Sequence, residues 1–289
     1  MNTEKTKRHL NKSSKIVLVI AIVLILLIIA ELIRSNSYIE VESFEYKNAS
    51  LPESFDGVRI VSVTDYHNHG GAYEDRLIDK IKAQSPDYIF LVGDIIDSRL
   101  TDFDVLESFL NKCTKIAPCY LCYGNHELRK SDEEINKYND IAAKAGVTIL
   151  DNELIPLERE GRTVYLAGLT SMGGIVDVTE TAKALDKSAP LLCIHHYPEN
   201  FKELSNDFED MGFESSLFFC GHAHGGLIRI PFTRIGAVAP GQGILPEYTG
   251  GEYFSGSSEM LLSRGCGNSS ITLRFFDPFE IIVCELKTG

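Results

Sequence analysis

The hydrophobic pattern divides the chain into an apolar N-terminal run and a long alternating region. Residues 16–30 form an unbroken run of Ile, Val, Leu and Ala, which as a helix at about 1.5 Å per residue would extend for about 22 Å. Continuation to Ile33 brings this length to about 27 Å, close to the hydrocarbon thickness of a bilayer. Because the run has no polar face, a buried amphipathic core helix is disfavoured. We therefore predict a transmembrane helix over residues 16–33.

The charges on either side of this helix predict its orientation in the membrane. Five Lys or Arg residues lie within residues 1–15, whereas only Arg34 follows the helix directly. This bias places a basic tail, residues 1–15, in the cytoplasm and the rest of the chain outside. Since Ala30-Glu31-Leu32 is a poor cleavage site, an uncleaved signal anchor is favoured over a removed signal peptide. We expect a single-pass protein of the cell membrane, with a linker and edge segment over residues 34–55 and a folded domain over residues 56–289.

Beyond the linker, short apolar runs alternate with stretches of helical periodicity. The order βαβαβ in the first half predicts a parallel sheet. Its expected strands are Val58–Thr64, Tyr88–Val92 and Ala117–Tyr123, and its expected helices are Ala72–Gln84, Val105–Lys112 and Asp132–Ala145. Fewer helices separate the later runs, so we expect a second sheet packed on the first, with helices outside. The expected strands there are Val164–Leu169, Leu191–Ile194, Leu217–Cys220, Leu227–Ile230, Met260–Ser263, Ile271–Phe275 and Ile281–Glu285, with helices over Thr179–Lys187 and Asn200–Met211.

Composition and charge exclude several kinds of partner and site. The chain is 44% apolar and 24% charged, which is typical of a folded protein. Residues 1–34 carry a net charge of +4 within a total of −13, which leaves −17 for the rest and disfavours a nucleic-acid partner. The seven cysteines are odd in number and lie mostly in apolar runs, which indicates buried free thiols. Cys119 and Cys122 have CxxC spacing, but on a strand they point to opposite faces and suit neither a metal nor a redox pair.

Polar side chains that can bind metal follow five of the predicted strands, at the point where each strand ends. A single loop of this kind is weak evidence, but five of them, each behind an apolar strand, indicate one common site. Glycines in three of the loops allow the backbone to turn sharply. The five segments are Asp65-Tyr66-His67, Gly93-Asp94-Ile95-Ile96-Asp97, Gly124-Asn125-His126-Glu127, His195-His196-Tyr197-Pro198-Glu199 and Gly221-His222-Ala223-His224.

The side chains in these loops restrict the metal. Imidazole together with carboxylate and amide oxygens, and without thiolate, suits Mn, Fe, Zn, Co or Ni better than Ca or Mg. Two aspartates, one asparagine and four or five histidines are more donors than one four-coordinate zinc needs. Two ions about 3.5–4 Å apart would share a bridging carboxylate and hold the attacking and leaving oxygens of an in-line displacement. We therefore predict two divalent transition-metal ions, Mn, Fe or Zn, as cofactors.

Taken together, the five segments resemble the motifs of the calcineurin-like metallophosphoesterases, over about residues 56–289. The C-terminal part is also similar to the bacterial membrane-anchored branch of that family, through Ala239-Pro240-Gly241-Gln242-Gly243 and Ser263-Arg264-Gly265-Cys266-Gly267-Asn268-Ser269. The resemblance implies an α/β fold, a four-layer α/β/β/α sandwich with two mixed sheets, which agrees with the two sheets predicted above. Residues 56–289 would then be a metallophosphoesterase domain.

The resemblance also implies which residues bind metal. The first ion would be held by Asp65, His67 and His224, Asp94 would bridge, and the second ion would be held by Asn125, His196 and His222. His195 and His196 are adjacent, so only one of them can face the site, and the His-x-Pro spacing of the family favours His196. His126 would not bind metal; it would face the phosphoryl oxygens or the leaving group, oriented by Asp97. Glu127 is expected to brace its loop rather than to act as a base.

The implied function is hydrolysis of a phosphodiester, pyrophosphate or phosphomonoester by a metal-bridging hydroxide. A small-molecule, lipid or cell-envelope phosphoester is the expected substrate, because the anchor would hold the site near the membrane. Two alternatives remain open: a phosphoprotein phosphatase, and a non-catalytic metal-binding scaffold. The scaffold is disfavoured because every expected ligand position and His126 are present.

Overall fold

The computed structural model describes residues 11–170, 175–183, 185–231, 233–268 and 273–289. Its helices are α1 Lys12–Ser35, α2 Ala72–Ala83, α3 Phe103–Thr114, α4 Asp132–Ala145, α5 Ile175–Ala182 and α6 Phe201–Asp210. Its strands are β1 Ile39–Asn48, β2 Arg59–Val63, β3 Tyr88–Val92, β4 Cys119–Cys122, β5 Thr148–Ile149, β6 Glu153–Arg159, β7 Arg162–Leu169, β8 Leu191–His195, β9 Ser216–Cys220, β10 Val238–Ala239, β11 Gly243–Ile244, β12 Gly251–Ser255, β13 Ser258–Leu262 and β14 Phe279–Thr288.

Twelve of the strands form two six-stranded mixed sheets. The first sheet has the order β1-β14-β2-β3-β4-β5 and the second has the order β12-β13-β9-β8-β7-β6. In the first sheet β2, β3, β4 and β5 run parallel, whereas β14 is antiparallel to β2. In the second sheet β7, β8, β9 and β13 run parallel, with β6 and β12 antiparallel at the two edges. Short β10 and β11 pair separately.

Alternation along the strands produces four layers. In β2, Val61 and Val63 pack with α2, α3 and α4, whereas Ile60 packs against the second sheet. On the far side of the second sheet, Cys193 and Phe218 pack with α5 and α6. Successive strand residues point to opposite faces, so each central strand serves two cores. The predicted α/β/β/α sandwich is confirmed.

Several predicted elements agree with the structure and others do not. Helix α4 has the predicted bounds, because Ser131 and Glu134 form a capping box at its start and Gly146 adopts a left-handed φ of 82° at its end. The predicted strand Leu227–Ile230 is wrong: the chain there makes only isolated bridges. Strands β6 and β12 were not predicted. Residues 271–272 of the expected strand Ile271–Phe275, and residue 184 of the expected helix Thr179–Lys187, lie outside the described residues.

The cysteine interpretation also agrees with the structure. All seven cysteines are free and buried. Cys119 belongs to the core beneath the helices and Cys122 to the core between the sheets, so the two thiols of the CxxC segment point in opposite directions.

The N-terminal helix stands apart from these layers. Among the described residues, α1 is the one helix long and apolar enough to cross a membrane, and its apolar window is not buried against the rest of the chain. A signal sequence near the N-terminus has the same properties. Immediately after it, residues 39–48 of the expected linker form β1, which pairs in parallel with β14 at the edge of the first sheet.

Candidate metal centre

The five predicted loops converge at one place, although they come from different sheets. Loops after β2, β3 and β4 meet loops after β8 and β9. The contact is close: the Nδ1 atom of His196 lies 2.9 Å from the carbonyl oxygen of Val92, and the amide of His222 donates to Asp65 across 3.1 Å. At Gly93, where φ is 73°, an added Cβ would lie 2.7 Å from both Gly124 N and His196 Nδ1. A side chain there would push the two sheets apart, which explains the glycine.

Five of the predicted site residues have a left-handed backbone. Positive φ angles occur at Asp65 (53°), His67 (47°), Asp94 (53°), His222 (68°) and His224 (46°). Such conformations are uncommon for residues other than glycine and cost of order 1–3 kcal/mol each when sparsely populated. Their concentration in three loops turns the side chains towards one another and is typical of functional sites.

Asp94 occupies the middle of the cluster. Its Oδ1 atom accepts the backbone N–H of His126 at 2.8 Å. Its Oδ2 atom lies 3.3 Å from Nε2 of His196 and 3.9 Å from Nε2 of both His67 and His126. Burial would raise the pKa of Asp94, but the surrounding imidazoles outweigh it and hold the pKa well below its usual range. The carboxylate therefore stays ionised between the two halves of the site.

The expected ligands of the first ion surround Asp65. The Oδ1 atom of Asp65 lies 3.4 Å from Nε2 of His224 and 3.9 Å from Nε2 of His67. Two donors that each lie about 2.0–2.2 Å from one ion can be no more than about 4.3 Å apart, so these spacings fit a shared ion. Burial lowers the pKa of both histidines, which keeps the rings neutral, as metal binding requires.

The expected ligands of the second ion surround Asp94. Donor atoms of Asp94, His196 and His222 all lie within 4.8 Å of one another, as do those of Asp65, His67 and His224. Burial and the neighbouring His196 lower the pKa of His222 to about 3. Although burial opposes protonation of His196, the Asp94 carboxylate raises its pKa to about 10. Without a metal, Asp94 and His196 therefore form a buried ion pair.

Several buried polar atoms of the cluster lack hydrogen-bond partners. These are Nδ1 and Nε2 of His67, Nε2 of His196 and Oδ1 of Asn125. The ring of His196 donates from Nδ1 to Val92, so Nε2 is the atom that faces Asp94 and that an ion would bind in place of its proton. Buried polar groups are normally paired, so unpaired nitrogen and oxygen donors beside two buried carboxylates fit divalent metal ions.

His224 contacts a buried arginine through its other ring nitrogen. Its Nδ1 atom lies 3.1 Å from Nη2 of Arg274, a fully buried arginine that also donates to Asp277 and to the Gly267 carbonyl. A guanidinium can only donate, so Nδ1 is the acceptor and the proton of the neutral ring sits on Nε2. Binding of an ion at Nε2 would have to displace that proton. No motif in the sequence indicated Arg274.

The doubled histidine is resolved by the hydrogen bonds of each ring. Nδ1 of His195 lies 2.9 Å from the carbonyl oxygen of Leu169, and Nε2 lies 3.0 Å from the side-chain nitrogen of Asn200. Both nitrogens of His195 are thus occupied by the surrounding protein, and burial lowers its pKa to about 4. Of the two adjacent histidines, His196 is the one that faces the cluster.

His126 lies beside the cluster, with Asp97 close to its Nδ1 atom. The backbone N–H of Ser98 donates to Nδ1 of His126 at 2.8 Å, whereas Oδ1 of Asp97 lies 3.9 Å from that nitrogen. Asp97 instead accepts the backbone N–H of Arg99 at 2.8 Å. A backbone amide therefore donates to Nδ1 of His126, and the expected orientation of His126 by Asp97 stays a prediction. Because Nδ1 accepts, Nε2 carries the proton and faces Asp94.

Glu127 holds two of the loops together. Its buried carboxylate accepts four backbone N–H groups, from Asp94 and Gly124 on Oε2 and from Ile95 and Ile96 on Oε1. All four distances lie between 2.8 and 3.1 Å. The bracing role expected for Glu127 is confirmed, since every acceptor site that faces the loops is already used.

Comparison with protein families identifies the class to which this site belongs. The model of the calcineurin-like phosphoesterases matches residues 58–226, a range that contains all five loops. The chain belongs to this family. It is therefore a metallophosphoesterase, a hydrolase that acts on phosphoester bonds, and its cluster of histidines and carboxylates is suited to divalent metal ions.

Similar proteins occur in several bacteria. An uncharacterized metallophosphoesterase of Campylobacter jejuni is 28% identical over 87% of this chain and 65% of its own length. The uncharacterized metallophosphoesterase YkuE of Bacillus subtilis is 28% identical over 86% of each chain. Phosphodiesterase YaeI of Escherichia coli is 26% identical over 70% of this chain and 71% of its own. The chain thus spans slightly less than two thirds of the Campylobacter protein.

Proposed function

We propose that the protein is a two-metal phosphoesterase that hydrolyses a phosphodiester, pyrophosphate or phosphomonoester at the cell membrane. The observation that carries the proposal is the arrangement of two sets of donors, Asp65-His67-His224 and Asp94-His196-His222, around ionised Asp94. Asp94 would bridge the ions, and the unpaired Oδ1 atom of Asn125 would complete the second set. Mn, Fe and Zn suit these donors best.

Bound divalent ions would supply a water-derived nucleophile near neutral pH and neutralise the phosphoryl oxygens. The chain itself contributes a proton donor. His126 is held through Nδ1 by the Ser98 amide, so its Nε2–H is directed at the same region as Asp94. That group can donate a hydrogen bond to a phosphoryl oxygen or to the departing alkoxide and so stabilise its charge. A phosphodiester substrate is favoured by the similarity to a phosphodiesterase of Escherichia coli.

The location follows from α1 and the charges around it. A basic tail before the helix favours a cytoplasmic N-terminus and an extracytoplasmic domain. Helix α1 would then hold the catalytic domain close to lipid or cell-envelope phosphoesters. The strongly acidic remainder of the chain is a poor surface for nucleic acid.

A paired assay tests this proposal. Purified full-length protein in detergent would be loaded with Mn²⁺ and given an aryl phosphodiester and the matching aryl phosphomonoester side by side. We expect metal-dependent hydrolysis, faster for the diester, which is lost on chelation and restored by Mn²⁺. Faster hydrolysis of the monoester or of a phosphopeptide would favour the phosphatase alternative. Absence of hydrolysis by fully loaded protein on all of them would favour the scaffold.

A further inference from the structure

A short hairpin beside the metal centre alternates exposed apolar residues with arginines. We call it the 228–236 hairpin, and the structure describes its residues 228–231 and 233–236. The amide of Ile230 donates to the carbonyl oxygen of Ile235 at 3.0 Å, and Arg229 bridges to Gly236. Ile228, Ile230 and Ile235 are 47%, 52% and 50% exposed. Three half-exposed isoleucines within eight residues are unusual on a soluble surface and indicate a contact with something apolar.

The hairpin lies where α1 meets the folded domain. In its first arm, the backbone N–H of Arg229 donates to the carbonyl oxygen of Phe275 at 3.0 Å. The neighbouring Arg274 exchanges two backbone hydrogen bonds with the side chain of Asn36, at 2.9 and 3.1 Å. Asp277 donates its backbone N–H to Ser35 Oγ, the last residue of α1, at 3.2 Å. If α1 spans the bilayer, these bonds place the hairpin at the surface from which the chain emerges.

Between the hairpin and the end of α1 lies a polar cavity of about 350 Å³. Four arginines and two glutamates line it: Arg34, Arg229, Arg234, Arg264, Glu40 and Glu42. Two of these arginines already have carboxylate partners, since Arg34 pairs with Glu31 at 2.9 Å and Arg264 with Glu40 at 2.9 Å. Arg264 also pairs with the buried carboxylate of Glu280. Among the lining residues themselves, four are basic and two are acidic, within a part of the chain whose net charge is −17.

Arg229 makes only a long contact with a carboxylate. Its side chain is 9% exposed, and its Nη1 atom has no hydrogen-bond partner within the described part of the chain. Oδ1 of Asp277 lies 4.0 Å from Nη1, which is within ion-pair distance but too long for a hydrogen bond, and that oxygen also has no hydrogen-bond partner among the described residues. A buried guanidinium nitrogen without a hydrogen bond can donate to an anionic acceptor, and phosphate oxygens match the geometry of a guanidinium group well.

We propose that the 228–236 hairpin docks on the bilayer surface and that the cavity behind it binds the phosphate of an anionic lipid headgroup. Arg229 and Arg234 contact the headgroup, and the exposed isoleucines enter the interface between headgroups and acyl chains. This inference depends on the proposed membrane anchoring. Because only four residues separate His224 from Arg229, docking also holds the metal centre at the bilayer surface, where a phosphoester attached to a lipid is presented.

Site-directed fluorescence on the full-length protein in liposomes tests this docking directly. An Ile230→Cys variant would carry an environment-sensitive label. All seven native cysteines are buried, so their thiols do not compete for the label in the folded protein. A Glu160→Cys variant, labelled at the turn between β6 and β7, is the matched control. Vesicles contain phosphatidylcholine alone or phosphatidylcholine with phosphatidylglycerol, each with a nitroxide-labelled lipid as quencher.

We expect quenching of the label at position 230 in phosphatidylglycerol vesicles, weaker quenching in phosphatidylcholine, and little quenching at position 160. The double substitution Arg229→Gln with Arg234→Gln should lower the ratio of docked to undocked protein roughly 30-fold. Each arginine near an anionic surface raises that ratio about fivefold, and the two effects multiply. The pair Lys144→Gln with Arg162→Gln removes the same charge from exposed positions elsewhere and should leave the ratio unchanged.

Three results would overturn the inference: equal quenching in both kinds of vesicle, no effect of the hairpin substitutions, or loss of docking on addition of inorganic phosphate. The last result would show that the cavity takes free phosphate instead of a lipid headgroup. Fluorescence does not depend on hydrolysis. A protein that docks but hydrolyses nothing would therefore contradict the proposed function alone, and one that hydrolyses without docking would contradict this inference alone.

Discussion

The substitution Glu127→Gln tests whether one buried carboxylate holds the catalytic loops in place. Glutamine has nearly the same shape as glutamate but replaces one acceptor oxygen with a donor NH₂ group. Each carboxylate oxygen of Glu127 accepts two backbone N–H groups. Whichever way the amide turns, one pair of N–H groups would face a donor and lose its acceptor. The pair that loses its acceptor is either the N–H groups of Asp94 and Gly124 or those of Ile95 and Ile96.

The expected loss of stability follows from that count. A buried polar group left without a partner costs about 1–3 kcal/mol, so two of them cost about 2–6 kcal/mol. Because whole domains are stable by only about 5–15 kcal/mol, the effect is large enough to measure. The chain has no tryptophan, so guanidinium unfolding of the metal-free protein would be followed by circular dichroism.

A matched control separates this effect from the general loss of a carboxylate. Glu107 is exposed on α3, and Glu107→Gln should change the free energy of unfolding by less than about 0.5 kcal/mol. Glu127→Gln should also weaken metal binding, since the loops that carry Asp94 and Asn125 lose their brace. A Glu127→Gln protein within about 1 kcal/mol of wild type would refute the reasoning.

Three further predictions concern the roles of individual histidines and of the metal. His196→Ala should lose bound metal, whereas His195→Ala should keep its metal and lose about 1–3 kcal/mol of stability through its broken buried hydrogen bonds. Metal analysis and denaturation of both variants would check this, and equal loss of metal in the two variants would contradict it. His126→Gln should retain metal but reduce kcat by about 10²–10⁴-fold with little change in KM, and steady-state kinetics on the aryl phosphodiester would show whether KM changes instead. Removal of metal should lower Tm, because a ligand present at a concentration of about 1,000 times its Kd stabilises the folded state by about 4 kcal/mol. A Tm that does not change on chelation would argue against ions in the buried cluster.

The fold was predictable where local periodicity and the order of elements agree. The strands β2, β3, β4, β8 and β9 are short apolar runs, and each ends just before a polar loop, so both the sheets and the edge that carries the site followed from the sequence. The strand expected over Leu227–Ile230 failed for a physical reason. Its alternating isoleucines resemble a half-buried strand, but in the structure Ile228 and Ile230 are exposed, and the alternation reflects a surface rather than a core.

The site was predictable in its composition but not in its details. The five loops were found from residue types behind strands, and the left-handed φ angles that aim Asp65, His67 and Asp94 could not be read from the sequence. The Ser98 amide that orients His126 is a backbone group, which leaves no signature in residue identity. Arg274 lies 50 positions from His224, so only the folded chain brings the two together.

Metal stoichiometry tests the central claim most directly. Full-length protein would be saturated with Mn²⁺, freed of excess ion and analysed for bound metal, alongside Asp94→Asn. The proposed site predicts about two ions per chain, with occupancy of both ions reduced in Asp94→Asn because the bridge is lost. Fewer than about 1.5 ions per wild-type chain at saturation would contradict a two-metal site, as would an Asp94→Asn protein that binds as much metal as wild type.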